Sequence, residues 1–197
     1  IQADGIKDTM RCNDTVAAYR KRDPKRFPVA CGIVEPLHGA RSIGELERMK
    51  HDLGLNGVVW HSRFQGVAVD HALMRPLLKK VGELGLVPLI HTNAESNLEA
   101  VWRLERLALE FPELTFVSMD ALTTNTNSQL ALDIAKRTKN ILFDTAHVRG
   151  PAYVRQFVEA VGSHRLIFGS LFYSYPASYE HCATLDEIKA AKIGDGD

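Results

Sequence analysis

The chain has 197 residues, 24 basic against 24 acidic, 8 histidines and 45% hydrophobic residues, the composition of an ordinary soluble globular protein and not of a fibre, a mucin or a disordered tail. A formal net charge of zero gives no overall pull on nucleic acid or on an anionic membrane, so neither partner is expected and recognition must be local. Three cysteines, Cys12, Cys31 and Cys182, have no CxxC spacing; this predicts reduced, core-filling thiols in a cytoplasmic setting, with neither a disulfide framework nor a cysteine zinc site.

No apolar run reaches the roughly 18 to 20 residues that span a bilayer, and the opening residues lack the pattern of a secretory signal. A first helix is expected over about Asp14 to Lys21, and the basic run Arg20, Lys21, Arg22, Lys25 and Arg26, broken by Asp23 and Pro24, reads as its solvated end. Pro28 to Val34 is the first strand. Ser42 and Glu45 have capping-box spacing ahead of Ile43, Leu46, Met49 and Leu53, an apolar face that Gly54 ends. A strand at Gly57 to Trp60 precedes a helix that begins near Asp70, tolerates Pro76 only in its first turn and runs through Leu77 and Val81 to Gly85.

The alternation continues to the end of the chain. Strands are expected at Leu86 to Ile90, Leu114 to Met119, Asn140 to Phe143 and Leu166 to Gly169. Between them lie helices carrying Leu98, Val101, Leu104 and Ala108, then Leu130, Ile134 and Ala135, then Val154, Phe157 and Val161 after Pro151. Thr184 and Glu187 have capping-box spacing for a last helix. Short, nearly continuous apolar strands alternating with amphipathic helices are the mark of an α/β fold with a parallel sheet covered on both faces. Periodicity leaves an open doubly wound sheet and most of an eight-stranded barrel equally possible, although no GxGxxG and no GxxxxGK[ST] supports nucleotide binding.

In parallel α/β folds the groups that do chemistry follow the C-terminal ends of the strands. Reading past each strand finds Glu35 and His38, His61 and Arg63, His91 and Asn93, Asp120, Asp144 and His147, then Leu171 and Tyr173. Histidines so placed bind a metal, shuttle protons, hold a carboxylate or satisfy a loop carbonyl. Arg63 with His61 has the chemistry to grip a carboxylate through the guanidinium fork, and Tyr173 to line a mouth.

The segments GLNGVVWHSRFQG at 54–66, GELGLVPLIHTN at 82–93, FPELTFVSMDA at 111–121, KNILFDTA at 139–146 and HRLIFGSLFYSYP at 164–176 resemble, in order and spacing, the amidohydrolase superfamily. The resemblance is to its amidohydrolase-related group of metal-dependent decarboxylases and hydrolases, and it covers nearly the whole chain. It implies a (β/α)8 TIM-type barrel with one divalent metal, zinc or manganese, at the C-terminal mouth. His91 stands where the family places a strand-end metal ligand, and Asp120 stands where it places the histidine that activates water. Leu171 occupies the place of an acidic ligand, and the family's HxH motif is absent from this sequence.

The resemblance makes residues 1–197 a single barrel domain whose six strands are the third to eighth, the first two falling outside these residues, with a longer parent chain or a partner, a homo-oligomer included, expected to cover the gap. The function it implies is metal-assisted hydrolysis or decarboxylation of a small carboxylic acid, lactone or amide. Asp120 is then catalytic, His91 the metal ligand, and His61, Arg63, Asn93 and Tyr173 substrate contacts. The alternative is a metal-free or noncatalytic homologue that binds a small acid, which Leu171 favours.

Overall fold

The computed structural model describes residues 6–93, 96–170 and 182–194, and the chain divides after Ile90 into two compact units. The first contains helix α1 (Ile6–Arg22), strand β1 (Cys31–Ile33), helix α2 (Ala40–His51), strand β2 (Gly57–Trp60), the short helix α3 (Ser62–Gln65), helix α4 (Met74–Leu84) and most of strand β3 (Val87–His91). The strands are parallel neighbours in register, Cys31 opposite Gly57 and Gly57 opposite Val87. Leu46, Met49, Val58, Trp60, Leu77, Leu78 and Val81 are fully or almost fully buried between helices and strands, as the predicted apolar faces require.

Helix α1 is longer than expected and is clipped to β1 by a single side chain. Asn13 accepts the Ile33 N–H at 2.8 Å through Oδ1, and its Nδ2 donates to the Ile33 carbonyl at 2.9 Å and to Glu45 at 2.7 Å. The close approach needs Gly32, since a Cβ there would sit 2.5 Å from Asn13 Oδ1. The basic run is only partly a solvated end, because the Arg20 guanidinium donates to the carbonyls of Gly54 and Pro28 at 2.6 and 2.8 Å.

The second unit contains helix α5 (Val101–Glu110), strand β4 (Phe116–Met119), helix α6 (Asn125–Arg137), strand β5 (Ile141–Asp144), helix α7 (Pro151–Val161), strand β6 (Leu166–Ile167) and helix α8 (Ala183–Ala191). Its strands are again parallel, with Phe116 opposite Ile141 and Phe143 opposite Leu166. Phe143 meets Phe157 edge-on at 5.4 Å in the core. Each of the six expected strands is present, and among the described residues no helix is long and apolar enough to cross a membrane.

Both capping boxes are corrected. Helix α2 begins at Ala40, after Gly39, and Ser42 Oγ donates to the Glu35 carbonyl at 2.6 Å while Glu45 holds Asn13 and Arg48. Thr184 caps nothing, and Glu187 instead accepts the Gly150 N–H at 3.1 Å. Tertiary partners took the side chains that local spacing assigned to helix ends. The three cysteines are free and half-buried, and do not fill the core.

The buried Arg165 guanidinium donates to the carbonyls of Ile141 at 2.6 and 3.0 Å, Thr138 at 3.0 Å and Ala135 at 3.4 Å, tying the end of α6 to β5. Burial pushes its pKa down, and no carboxylate is among those four bonds. Arg165→Lys is expected to cost about 2 kcal/mol in urea unfolding, because a single ammonium cannot reproduce the planar fork across three carbonyls. A loss under about 0.5 kcal/mol would show that water replaces the fork at no cost.

Candidate active site

His91 is the last residue of β3 and the first of the second unit. The chain leaving it is tied to β4, with the Thr92 N–H donating to the Met119 carbonyl at 2.8 Å and the Thr92 and Ser118 hydroxyls 2.7 Å apart. This anchoring sets the imidazole between two carboxylates. Its Nδ1 lies 2.9 Å from Glu99 Oε2 and its Nε2 lies 2.7 Å from Asp120 Oδ2. The three residues are 5%, 0% and 4% exposed, so all of these charges are held away from bulk water.

Glu99 is delivered by a loop that closes on itself. The Asn93 N–H donates to the Glu99 carbonyl and the Glu99 N–H to the Ser96 carbonyl, both at 3.0 Å. Asn93, a predicted substrate contact, is itself buried in that closure at 5% exposure. Asp120 follows β4 in a left-handed conformation, φ 63°. Its N–H donates to Asp144 Oδ1 at 2.8 Å, and its carbonyl accepts the Thr123 hydroxyl. Thr124 then caps α6 by accepting the Asn127 N–H at 3.2 Å.

Burial alone would pull the His91 pKa down, but hydrogen bonds and charge from Asp120 and Glu99 outweigh it and raise it to about 9. Burial pushes the Asp144 carboxyl up to about 7, against the lowering effect of the Asp120 N–H. The group is therefore an imidazolium between two carboxylates, beside a carboxyl that exchanges its proton near neutrality.

The same atoms form a nitrogen and oxygen donor set suited to zinc or manganese. His91 and Glu99 offer ligand atoms within 4.8 Å of one another. A metal-binding histidine commonly gives its other ring N–H to a carboxylate, a role Glu99 fills at Nδ1, while Asp120 Oδ2 at 2.7 Å takes the Nε2 that an ion would use. The residues present fit an ion where it displaces the ring proton and the Asp120 carboxylate from Nε2.

Of the predicted site residues, the structure joins His91 to Asp120 directly and brings Asn93 into the loop that carries Glu99. His61 and Arg63 lie in the first unit around Phe64. The His61 ring is 4.2 Å from the Phe64 ring, and the Arg63 guanidinium lies 5.1 Å over it. Leu171 and Tyr173 lie outside the described residues. Sequence reasoning missed Glu99, which follows no strand and has no motif spacing; the only signal was a lone acid in the apolar stretch NLEAVW.

A family model described as Amidohydrolase matches residues 2–194. No curated protein sequence matches the chain. Among solved structures, 5-carboxyvanillate decarboxylase LigW from Sphingomonas paucimobilis is similar at 20% identity and a TM-score of 0.72, over 99% of this chain and 71% of that one. A 5-carboxyvanillate decarboxylase from Novosphingobium aromaticivorans, with bound manganese and 3-methoxy-4-hydroxy-5-nitrobenzoic acid, is similar at 19% identity and 0.70, over 94% and 65%. For 2,6-dihydroxybenzoate decarboxylase from Rhizobium the values are 18% and 0.71, over 97% and 73%. The likeness shows the fold, an α/β architecture of the TIM-barrel kind, of which six parallel strands are described here.

Proposed function

The chain belongs to the amidohydrolase family, and on that premise we propose that it carries out metal-assisted hydrolysis or decarboxylation of a small carboxylic acid, lactone or amide. The observation that carries this reading is the buried His91 flanked by Glu99 and Asp120 at 2.9 and 2.7 Å, since burying three such groups is costly unless they are held for use. The benzoate-type acids in the names of the similar decarboxylases make an aromatic carboxylate the first substrate class to test.

In this reading His91 would hold the ion once the Asp120 carboxylate leaves Nε2, and Glu99 at Nδ1 would fix the imidazole's orientation. Bound there, zinc or manganese supplies Lewis-acid polarisation of the substrate's carboxylate or carbonyl. Asp120 handles the proton: in hydrolysis it takes one from water, and in decarboxylation it first takes one from solvent and then delivers it to the carbon whose bond to the departing CO2 breaks. His61, Arg63, Asn93 and Tyr173 are the proposed contacts to substrate, Arg63 through its fork. A cytoplasmic setting is supported by the three free thiols.

A specific observation favours a second reading, a metal-free homologue that binds a small acid. Both nitrogens of His91 already have carboxylate partners, and Leu171 offers no donor. Metal analysis of protein purified without chelator or histidine tag separates the two, combined with turnover of a panel of aromatic and unsaturated acids and lactones in added manganese or zinc. Bound metal with turnover of at least one panel member is the expected result. Binding of panel acids without metal or turnover would leave the second reading standing.

A further inference from the structure

We propose that Asp144 is a positioning residue, which by accepting the Asp120 N–H fixes the left-handed backbone turn that aims the Asp120 carboxylate at His91. The proposal rests on Asp120 being the group that handles the proton. A non-glycine residue at φ 63° is disfavoured by the clash of its Cβ with the backbone, and aspartate usually tolerates this region by folding its carboxylate onto nearby backbone. At Asp120 that remedy is spent, because Oδ2 lies 2.7 Å from His91 Nε2. Support must come from outside the residue.

It comes from both ends of the peptide unit. Asp144 Oδ1 takes the N–H at 2.8 Å, and the Thr123 hydroxyl donates to the carbonyl. Asp144 is the last residue of β5, one step beyond the pair Ser118 and Phe143 in the register with β4, so its backbone is set by the sheet. Its carboxyl reaches the neighbouring strand end through Oδ1. Gly169 leaves the room this needs, since a Cβ there would lie 3.0 Å from Asp144 Oδ2 and 3.0 Å from the Ala146 Cβ. Asp144 Oδ1 is thus committed to the Asp120 backbone, which suits a group that acts through Asp120 and not on substrate.

The test compares wild type with Asp144→Ala, Asp144→Asn and Gly169→Ala by NMR of the Asp120 amide and the His91 ring N–H protons with chelator present, alongside kcat and KM, in added metal, for a panel acid the wild type turns over. Asp144→Ala is expected to move the Asp120 amide upfield, speed exchange of the His91 Nε2 proton, and lower kcat by about 10²-fold with KM nearly unchanged, the penalty of a misplacement near 1 Å. Asp144→Asn keeps an acceptor oxygen and should restore most of both signals. Gly169→Ala leaves Asp144 in place but crowds it, and should shift the signals in the same direction as Asp144→Ala.

Unchanged Asp120 and His91 signals in whichever of Asp144→Ala and Gly169→Ala folds would overturn the proposal, and so would a uniform loss of stability without those shifts. The NMR signals test the placement of Asp120 even if Asp120→Asn leaves turnover intact. That outcome would remove the catalytic assignment and not the contact.

Discussion

His91→Leu is expected to cost about 3 to 5 kcal/mol of folding stability, because it removes the one cation between two carboxylates that are 0% and 4% exposed. The pH window in which stability is lost should move with it. With chelator present, so that a proton and no ion sits on the ring, the wild-type His91 pKa of about 9 lies above its ordinary 6.5. A raised histidine pKa gives stability that is fully present below about pH 6.5 and is lost as pH rises through about 9. In the leucine variant that alkaline loss should vanish. Glu99 and Asp120 would then face each other without a counter-charge, their ionisation disfavoured, and the variant should instead lose stability as pH rises through the carboxylate range. Urea unfolding of both proteins from pH 4 to pH 10 reads these slopes. A variant that loses less than about 1 kcal/mol and tracks the wild type through the alkaline window would mean that the imidazole is neutral in its buried setting.

The strands and most helices were legible because parallel strands covered on both faces need unbroken apolar runs, and the helices between them need one apolar stripe. The run Pro28 to Val34 shrank to Cys31–Ile33 for a local reason: Pro28 has no N–H to give a ladder, and Val29 is 63% exposed. Position after a strand was enough to single out His91 and Asp120, whose side chains the structure brings to 2.7 Å of each other. It could not find Glu99, which reaches the imidazole from a loop closed by bonds among Asn93, Ser96 and Glu99. It also gave no sign of the contact made by Asp144, whose carboxyl accepts one backbone N–H from the neighbouring strand end. The capping boxes failed for the related reason that Glu45 and Glu187 have partners remote in sequence, while Ser42 turns back to the Glu35 carbonyl ahead of its helix.

Asp120→Asn should lower turnover about 10²- to 10⁴-fold while leaving the protein folded, the range expected when a positioned proton acceptor is removed. The amide keeps the shape of the carboxylate and one acceptor oxygen for His91 Nε2, now 2.7 Å from Asp120 Oδ2. Stability should change little, since the imidazolium retains Glu99 at 2.9 Å and the pair that remains is neutral, where the trio carries one excess negative charge. What the amide cannot do is accept a proton from water or hand one to carbon at neutral pH. If the protein only binds an acid, the same change removes a negative charge near an anionic ligand, so affinity should hold or improve. Turnover and binding must therefore be followed together, for each acid and lactone of the panel, in protein supplied with manganese or zinc. A fall in kcat with binding retained assigns the proton to Asp120. Turnover undiminished in Asp120→Asn would remove Asp120 from the chemistry, and tighter binding with no turnover in either protein would make the trio a holder of acids.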